Sequence, residues 1–225
     1  MPAYNTELYI AEAIQSCIDQ TYNMWELIIW DDGSTDNTLE IARSYNDERI
    51  IVGSGEHAGC PNANNSCLTL CCGEMIARMG SDDLQHPTRI EKSVDMLLKN
   101  PESPLVSCKM QYLKGDKLSP AINGKMKPRL YWKGDHSGAP VNASIVTMKE
   151  VYDKVGWYDE GFKVASDGDW NFRTLKYYDN WQFIDEYLYT YRRHSSQITQ
   201  RRTAEAVSNH QKSLIANRPM SRGEV

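Results

Sequence analysis

WELIIWDDGSTDNTLEIAR, residues 25–43, changes rhythm at its centre. Trp25 to Trp30 is apolar apart from Glu26, β-branched and aromatic in character, and short, as befits a strand covered on both faces. DDGSTD then supplies turn residues, and Ser34 or Thr35 stands where a helix cap belongs, ahead of Leu39 and Ala42 on one helical face. A buried strand running straight into a capped helix is the repeating piece of a parallel sheet flanked by helices.

The same alternation extends in both directions. Upstream, Thr6 can cap a helix that carries Leu8, Ala11, Ile14 and Ile18 on one face. Downstream come a short strand at Arg49 to Val52, a helix from Pro61 to Cys72 and a strand from Glu74 to Met79, which ends in the turn GSDDLQHP. The expected class is α/β, a Rossmann-like, mostly parallel sheet flanked by helices. Ligands of such sheets bind beyond the carboxyl ends of the strands, and both acidic pairs, Asp31-Asp32 and Asp82-Asp83, fall there. One acidic turn reads equally well as a cap, and Pro87-Thr88-Arg89 does open a helix. Two pairs on one rim, each of mutually repelling groups that resist losing water, point instead to a rim that meets something positive.

Beyond residue 100 the pattern is looser. Leu105 to Met110 and Ile145 to Thr147 read as strands, and Lys114 to Pro140 as a Gly-, Pro- and Lys-containing loop region. Residues 200–225 have weak periodicity, so a domain over 1–199 is followed by a C-terminal helix or tail over 200–225.

Composition narrows the function. The 225 residues are 40% hydrophobic, enough for a full core, and the net charge of −5 offers no basic stripe for nucleic acid. No apolar run reaches membrane-spanning length, and Met1 to Tyr9 lacks the pattern of a secretory signal. The cysteines at 17, 60, 67, 71, 72 and 108 contain no C-x-x-C pair, which disfavours zinc and suits free thiols in a reducing cytoplasm. Neither G-x-G-x-x-G nor G-x-x-x-x-G-K-[ST] occurs. The charge of a phosphorylated ligand would then be met by a divalent cation at Asp82 or Asp83.

PAYN at 2–5, DDGSTDNT at 31–38, GCPNANN at 59–65, GEMIARMGSDDLQHPTRIEK at 73–92, VGWYDEGF at 155–162, SDGDWNFR at 166–173 and YRRHSSQIT at 191–199 follow in that order. Together they resemble a family 2 glycosyltransferase of the GT-A fold, from residue 2 to about 199. The resemblance implies inverting transfer of a sugar from a nucleotide diphosphate, usually UDP. It assigns Pro2, Ala3, Tyr4 and Asp31 to the nucleotide base, with Asp32 the neighbouring candidate, and Asp82 and Asp83, beside Ser81, to Mn²⁺ or Mg²⁺. Asp167 matches the catalytic base, a role the mechanism needs because an acceptor hydroxyl is a poor nucleophile. Asp169 is two residues on, and either carboxylate could instead serve helix amides. His194 matches a histidine near the diphosphate or metal, and Arg192 or Arg193 could face the leaving group. Asn65 matches the asparagine of the family's R-N pair. Arg78 either meets a carboxylate or lines the donor pocket, and Trp132, Trp157 and Trp170 either stack on sugars or fill the core.

The chain departs from the family at Gly80, where an aspartate that contacts the ribose is common, at Asn64 in place of arginine, and at Ser166 in place of glutamate. Relatives also have a strand just before PAYN. Its truncation here leads us to expect bare backbone groups on the neighbouring strands, with low stability or self-association. With no Q-x-x-R-W motif, the expected enzyme adds one sugar per encounter to a saccharide or glycoconjugate in cell-surface polysaccharide biosynthesis, in the cytoplasm or by peripheral contact at the inner membrane face. The competing readings are a catalytically impaired nucleotide-sugar or glycan-binding module on the same fold, and a nucleotidyltransferase, which would need a phosphate loop that is absent.

Overall fold

The computed structural model describes residues 1–121, 124–125, 127, 140–162, 165–197 and 212. Trp132 and nearly all of the 200–225 segment lie outside the described residues, as do the last two residues of YRRHSSQIT.

The first half is regular. β1 (Pro2–Ala3), β2 (Leu27–Asp31) and β3 (Ile50–Ser54) form a parallel sheet in the order β1-β2-β3. α1 (Ile10–Ile18), α2 (Thr38–Arg43) and α3 (Cys60–Leu70) connect or follow them. The expected first strand is thus present as two residues, with Pro2 opposite Trp30 and Ala3 opposite Asp31. The Met1 ammonium extends this ladder, donating to the Ile28 carbonyl at 2.7 Å.

Two details depart from the sequence pattern for local reasons. Asn5 turns the chain at φ 51°, and the Thr6 carbonyl accepts the N–H groups of both Tyr9 and Ile10. The helix therefore starts at Ile10 and buries Ile10, Ala13, Ile14 and Cys17, which leaves Leu8 75% exposed. In the second turn neither Ser34 nor Thr35 caps α2. The Asp36 carboxylate accepts the Thr38 N–H at 3.0 Å, and Ser34 instead donates its N–H to Asp31.

The second sheet is mixed, with order β4-β8-β6-β9-β5. Its strands are β4 (Met75–Ala77), β5 (Leu84–Gln85), β6 (Leu105–Lys114), β7 (Lys117–Pro120), β8 (Val146–Met148) and β9 (Gln182–Arg192). β6 and β9 run parallel and the other pairs antiparallel, and β7 is a hairpin partner of β6. The first sheet is wholly parallel, and in the second only the central β6–β9 pair is. The two sheets share no strand pair among the described residues.

α4 (Arg89–Lys99), α5 (Glu150–Val155) and α6 (Ser166–Leu175) complete the described elements used below. One core lies around Ile10, Ile14, Ile29, Val106, Met110 and Leu188, and a second around Trp170, Trp181, Phe172, Tyr152 and Tyr158. Trp170 is fully buried, so it is a core residue, while Trp157 is 44% exposed. Fully buried Arg89 holds α4 in place by donating to the carbonyls of Arg78 and Ala143 and to Gln85. No described helix is long and apolar enough to cross a membrane, and all six cysteines are free.

Candidate functional site

The end of β2, the turn after β4 and the segment after β9 meet around a cavity of about 550 Å³. Pro2, Ala3 and Tyr4 line one side of it, Asp32 and His57 lie beside them, and Ser81, Asp82 and His194 line the other.

The aspartates that end β2 have separate tasks. Asp32, 3% exposed, accepts the N–H groups of Ala58 and Gly59 at 2.9 Å each, and its Oδ2 lies 2.8 Å from His57 Nδ1. These bonds fold the 55–59 turn onto the strand end, where a Cβ at Gly33 (φ +72°) would stand 2.8 Å from the His57 backbone nitrogen. The His57 ring stacks on Tyr4, with centroids 4.0 Å apart and planes at 19°. Asp31 sits behind this surface. Its Oδ2 accepts the Ser34 N–H at 3.0 Å, and its Oδ1 is buried without a partner among the described residues. A buried oxygen left in that state awaits a donor.

The second acidic pair also divides. Asp83, 2% exposed, accepts the Tyr189 hydroxyl at 2.7 Å and the Arg192 N–H at 2.9 Å. Burial, followed by the nearby Asp82 charge, raises its carboxyl to about 7. Asp83 thus ties the acidic turn to β9, and Asp82 is the member on the cavity wall. Asp82 Oδ2 is 3.0 Å from His194 Nε2, whose other ring nitrogen meets the Ser196 hydroxyl at 2.7 Å. His194 packs on Tyr9 at 4.4 Å, and Ser81 receives the Thr6 hydroxyl at 3.2 Å. Gly80 has a steric reason in this chain, because a Cβ there would lie 2.7 Å from Asp83 Oδ2 and 3.1 Å from Asp82 Oδ1.

Asp167 and Asp169 share the first turn of α6 but not an environment. Asp169 is buried and paired with Arg173 at 2.8 Å. Arg173 in turn donates to the carbonyls of Val155, Gly156 and Trp157. Asp167 is exposed, and its charge acts on Arg78 and on Cys60, a residue of the cavity wall. Ala165, which precedes this turn, holds φ 62°, a conformation alanine rarely adopts.

Arg78, Arg192, Arg193 and Asn65 lie off this cavity. Arg78 lines a second cavity, and packs over Trp170 at 4.3 Å and Tyr158 at 5.0 Å. It donates to Tyr152 and Asn142, and one guanidinium nitrogen has no hydrogen-bond partner among the described residues. The aromatic rings take the place of a carboxylate partner because the cation is held by their faces. Arg192 is engaged by the Asp82 carbonyl at 2.9 Å and by Glu12 at 2.6 Å, so it braces the acidic turn. Arg193 lies over Tyr112 at 3.6 Å. Asn65 holds both backbone groups of Tyr158 and the carboxylate of Glu160. Glu160 then lines the cavity, as do Gln197 and His57. VGWYDEGF contains a signal that could have selected Glu160; nothing in the sequence around His57 marks it.

Among the described residues no three His, Cys, Asp or Glu side chains converge as a metal cage. Asp82 and His194 do offer an oxygen and a nitrogen side by side. Adjacent ligands of an octahedral ion with bonds of about 2.1 Å stand about 3 Å apart, so this pair fits such an ion and leaves further positions to ligand oxygens and water.

The profile of Glycosyl transferase family 2 matches residues 1–156. Over 101 residues the chain is 40% identical to the Escherichia coli enzyme UDP-Glc:alpha-D-GlcNAc-diphosphoundecaprenol beta-1,3-glucosyltransferase WfgD, covering 44% of this chain and 40% of that one. The chain thus spans well under two thirds of that relative's length. Among solved structures, Staphylococcus aureus TarS 1–349 in complex with UDP-GlcNAc superposes with a TM-score of 0.80 at 18% identity, over 98% of this chain and 66% of that one. The Pyrobaculum calidifontis mannosyltransferase PcManGT, in complex with GDP-Man and Mn²⁺, gives 0.61 at 17% identity, over 96% and 61%. A parallel sheet with paired aspartates at its rim, a match to the family over more than half of the sequence and these fold neighbours agree: the chain belongs to glycosyltransferase family 2 and has the GT-A fold.

Proposed function

We propose that the cavity holds a UDP-sugar and that the chain transfers its sugar, with inversion and one unit at a time, to a hydroxyl of a saccharide or glycoconjugate. The observation that carries this is the cavity's polarity. One end offers the stacked Tyr4–His57 pair with Asp32 beside it, suited to a nucleotide base, and the other offers Asp82 beside His194. The UDP-GlcNAc of the TarS complex and the Mn²⁺ of the mannosyltransferase complex support both assignments.

Mn²⁺ or Mg²⁺ held by Asp82 and His194 would supply positive charge to the departing diphosphate. The remaining work falls to the protein. Asp167 takes the proton from the acceptor hydroxyl as its oxygen bonds to the anomeric carbon and the bond to the diphosphate breaks, and one displacement leaves an inverted anomer. Asp83 and Arg192 fix the acidic turn so that Asp82 does not have to be ordered on binding. WfgD is named for a diphosphoundecaprenol-linked acceptor. A lipid-linked acceptor of that kind would bring this chain to the cytoplasmic membrane face by peripheral contact, in cell-surface polysaccharide synthesis.

Incubation with a panel of UDP-sugars, Mn²⁺ and saccharide acceptors should release UDP with at least one donor, and proton NMR should show the inverted anomer in the product. A retained anomer would remove the single displacement. UDP binding without turnover on any donor would favour the binding-module reading instead.

A further inference from the structure

Among the described residues, Asp32, Asp82 and Glu160 are the carboxylates that line the donor cavity, and the first two are matched by a histidine. Asp32 has His57 at 2.8 Å, and Asp82 has His194 at 3.0 Å. Glu160 makes no ion pair among the described residues; the neutral Asn65 amide donates to it at 2.9 Å. No lysine or arginine among the described residues lines the cavity. Asn64, where an arginine would be expected, turns its amide back onto the Cys60 carbonyl at 2.9 Å.

The position of Glu160 is fixed from α3. Asn65 is 8% exposed, accepts the Tyr158 N–H at 3.0 Å and donates one of its own to the Tyr158 carbonyl at 2.9 Å, so the N–H that reaches Glu160 cannot turn away. A carboxylate offers about four acceptor positions on its two oxygens, and Asn65 takes one of them. The diphosphate of a donor has no proton to give and repels a like charge, so the groups of a donor that suit Glu160 are hydroxyls. α3 carries this wall away from the base end: Gly59 is held by Asp32, Cys60 feels the charges of both Asp167 and Asp32, and Asn65 holds Glu160. An unpaired acceptor on the wall shared with Asp167 belongs beside the sugar.

Resting on the donor reading above, we propose that Glu160 selects the transferred sugar: it accepts hydroxyl groups of a neutral hexose or N-acetylhexosamine and rejects a uronic acid. Two neighbouring O–H groups can donate to its two oxygens at once, which gives a neutral sugar a firm hold. On a ring bound in this way a carboxylate at C6 stays within a ring's width of Glu160, where the repulsion of two like charges costs about tenfold in affinity or more.

Calorimetric titration, with Mn²⁺, of UDP and of the matched pairs UDP-glucose with UDP-glucuronate and UDP-galactose with UDP-galacturonate tests this. Each affinity is referred to that of UDP in the same protein, which cancels the contribution of the nucleotide. In both pairs the neutral sugar is expected to bind the parent at least about tenfold tighter than its uronate. Glu160→Gln keeps the size and an oxygen for Asn65 but loses the charge, and should narrow the gap to about threefold or less. A uronate that binds the parent as well as its neutral partner would overturn the proposal without any variant, and so would a gap that Glu160→Gln leaves unchanged. A variant whose affinity for UDP alone falls as far as its affinity for the UDP-sugars would also overturn it, because Glu160 would then serve the ribose. If UDP itself fails to bind the parent, the donor reading falls and takes this proposal with it.

Discussion

Asp167→Asn is expected to lower the transfer rate by about 10²- to 10⁴-fold while leaving UDP affinity within a factor of two, the loss typical of removing a general base. Asparagine keeps the size and the N-terminal position on α6 but cannot accept the acceptor's proton. The neighbouring Asp169 provides the control. It is buried against Arg173, which also binds the carbonyls of Val155, Gly156 and Trp157 at the end of α5 and just after it. Asp169→Asn should therefore lower the melting temperature and reduce activity only through that loosening. Single-turnover kinetics, UDP titration and thermal melts on both variants separate the roles. Full turnover by Asp167→Asn, or unchanged stability in Asp169→Asn, would reverse the assignment.

Trp170→Ala is the substitution with the largest expected effect on stability. Its ring is fully buried between Tyr152, at 4.9 Å, and the Arg78 guanidinium, at 4.3 Å. Removing it opens a cavity, for which about 3–5 kcal/mol is the usual cost, and also takes an aromatic face from a charge whose other partners are few. A fall in melting temperature on the order of 10 °C follows for a chain of this size. Trp170→Phe should recover much of it, because a face is restored. A melt within about 2 °C of the parent for Trp170→Ala would place Arg78 under the control of its hydrogen bonds instead, on the same scale.

The sequence carried the fold wherever periodicity and turn chemistry agreed. Trp25 to Arg43 reads as strand, turn and helix and folds so, within about two residues at each boundary. Local backbone contacts displaced part of the rest. The face of α1 is shifted because the Thr6 carbonyl delays its start. Side-chain types gave the acidic rim and its histidine, which the fold brings together: Asp82 and His194, far apart in sequence, come within 3.0 Å. What they could not give is the division of labour within each pair. Asp82 and Asp83 are identical in composition, and only the Tyr189 hydroxyl and the Arg192 N–H turn one of them inward. Asp31 and Asp32 are separated in the same way by the amides of Ala58 and Gly59, and Arg78 by a ring of aromatic residues from distant segments.

The central claim is that the donor's diphosphate end is held at Asp82 and His194 through a divalent ion. Calorimetric titration of UDP into the protein with Mn²⁺, with chelator, and into Asp82→Ala with Mn²⁺ tests it most directly. Binding in the first case, weakened at least tenfold in the other two, is the expected result; equal affinity in all three would contradict it.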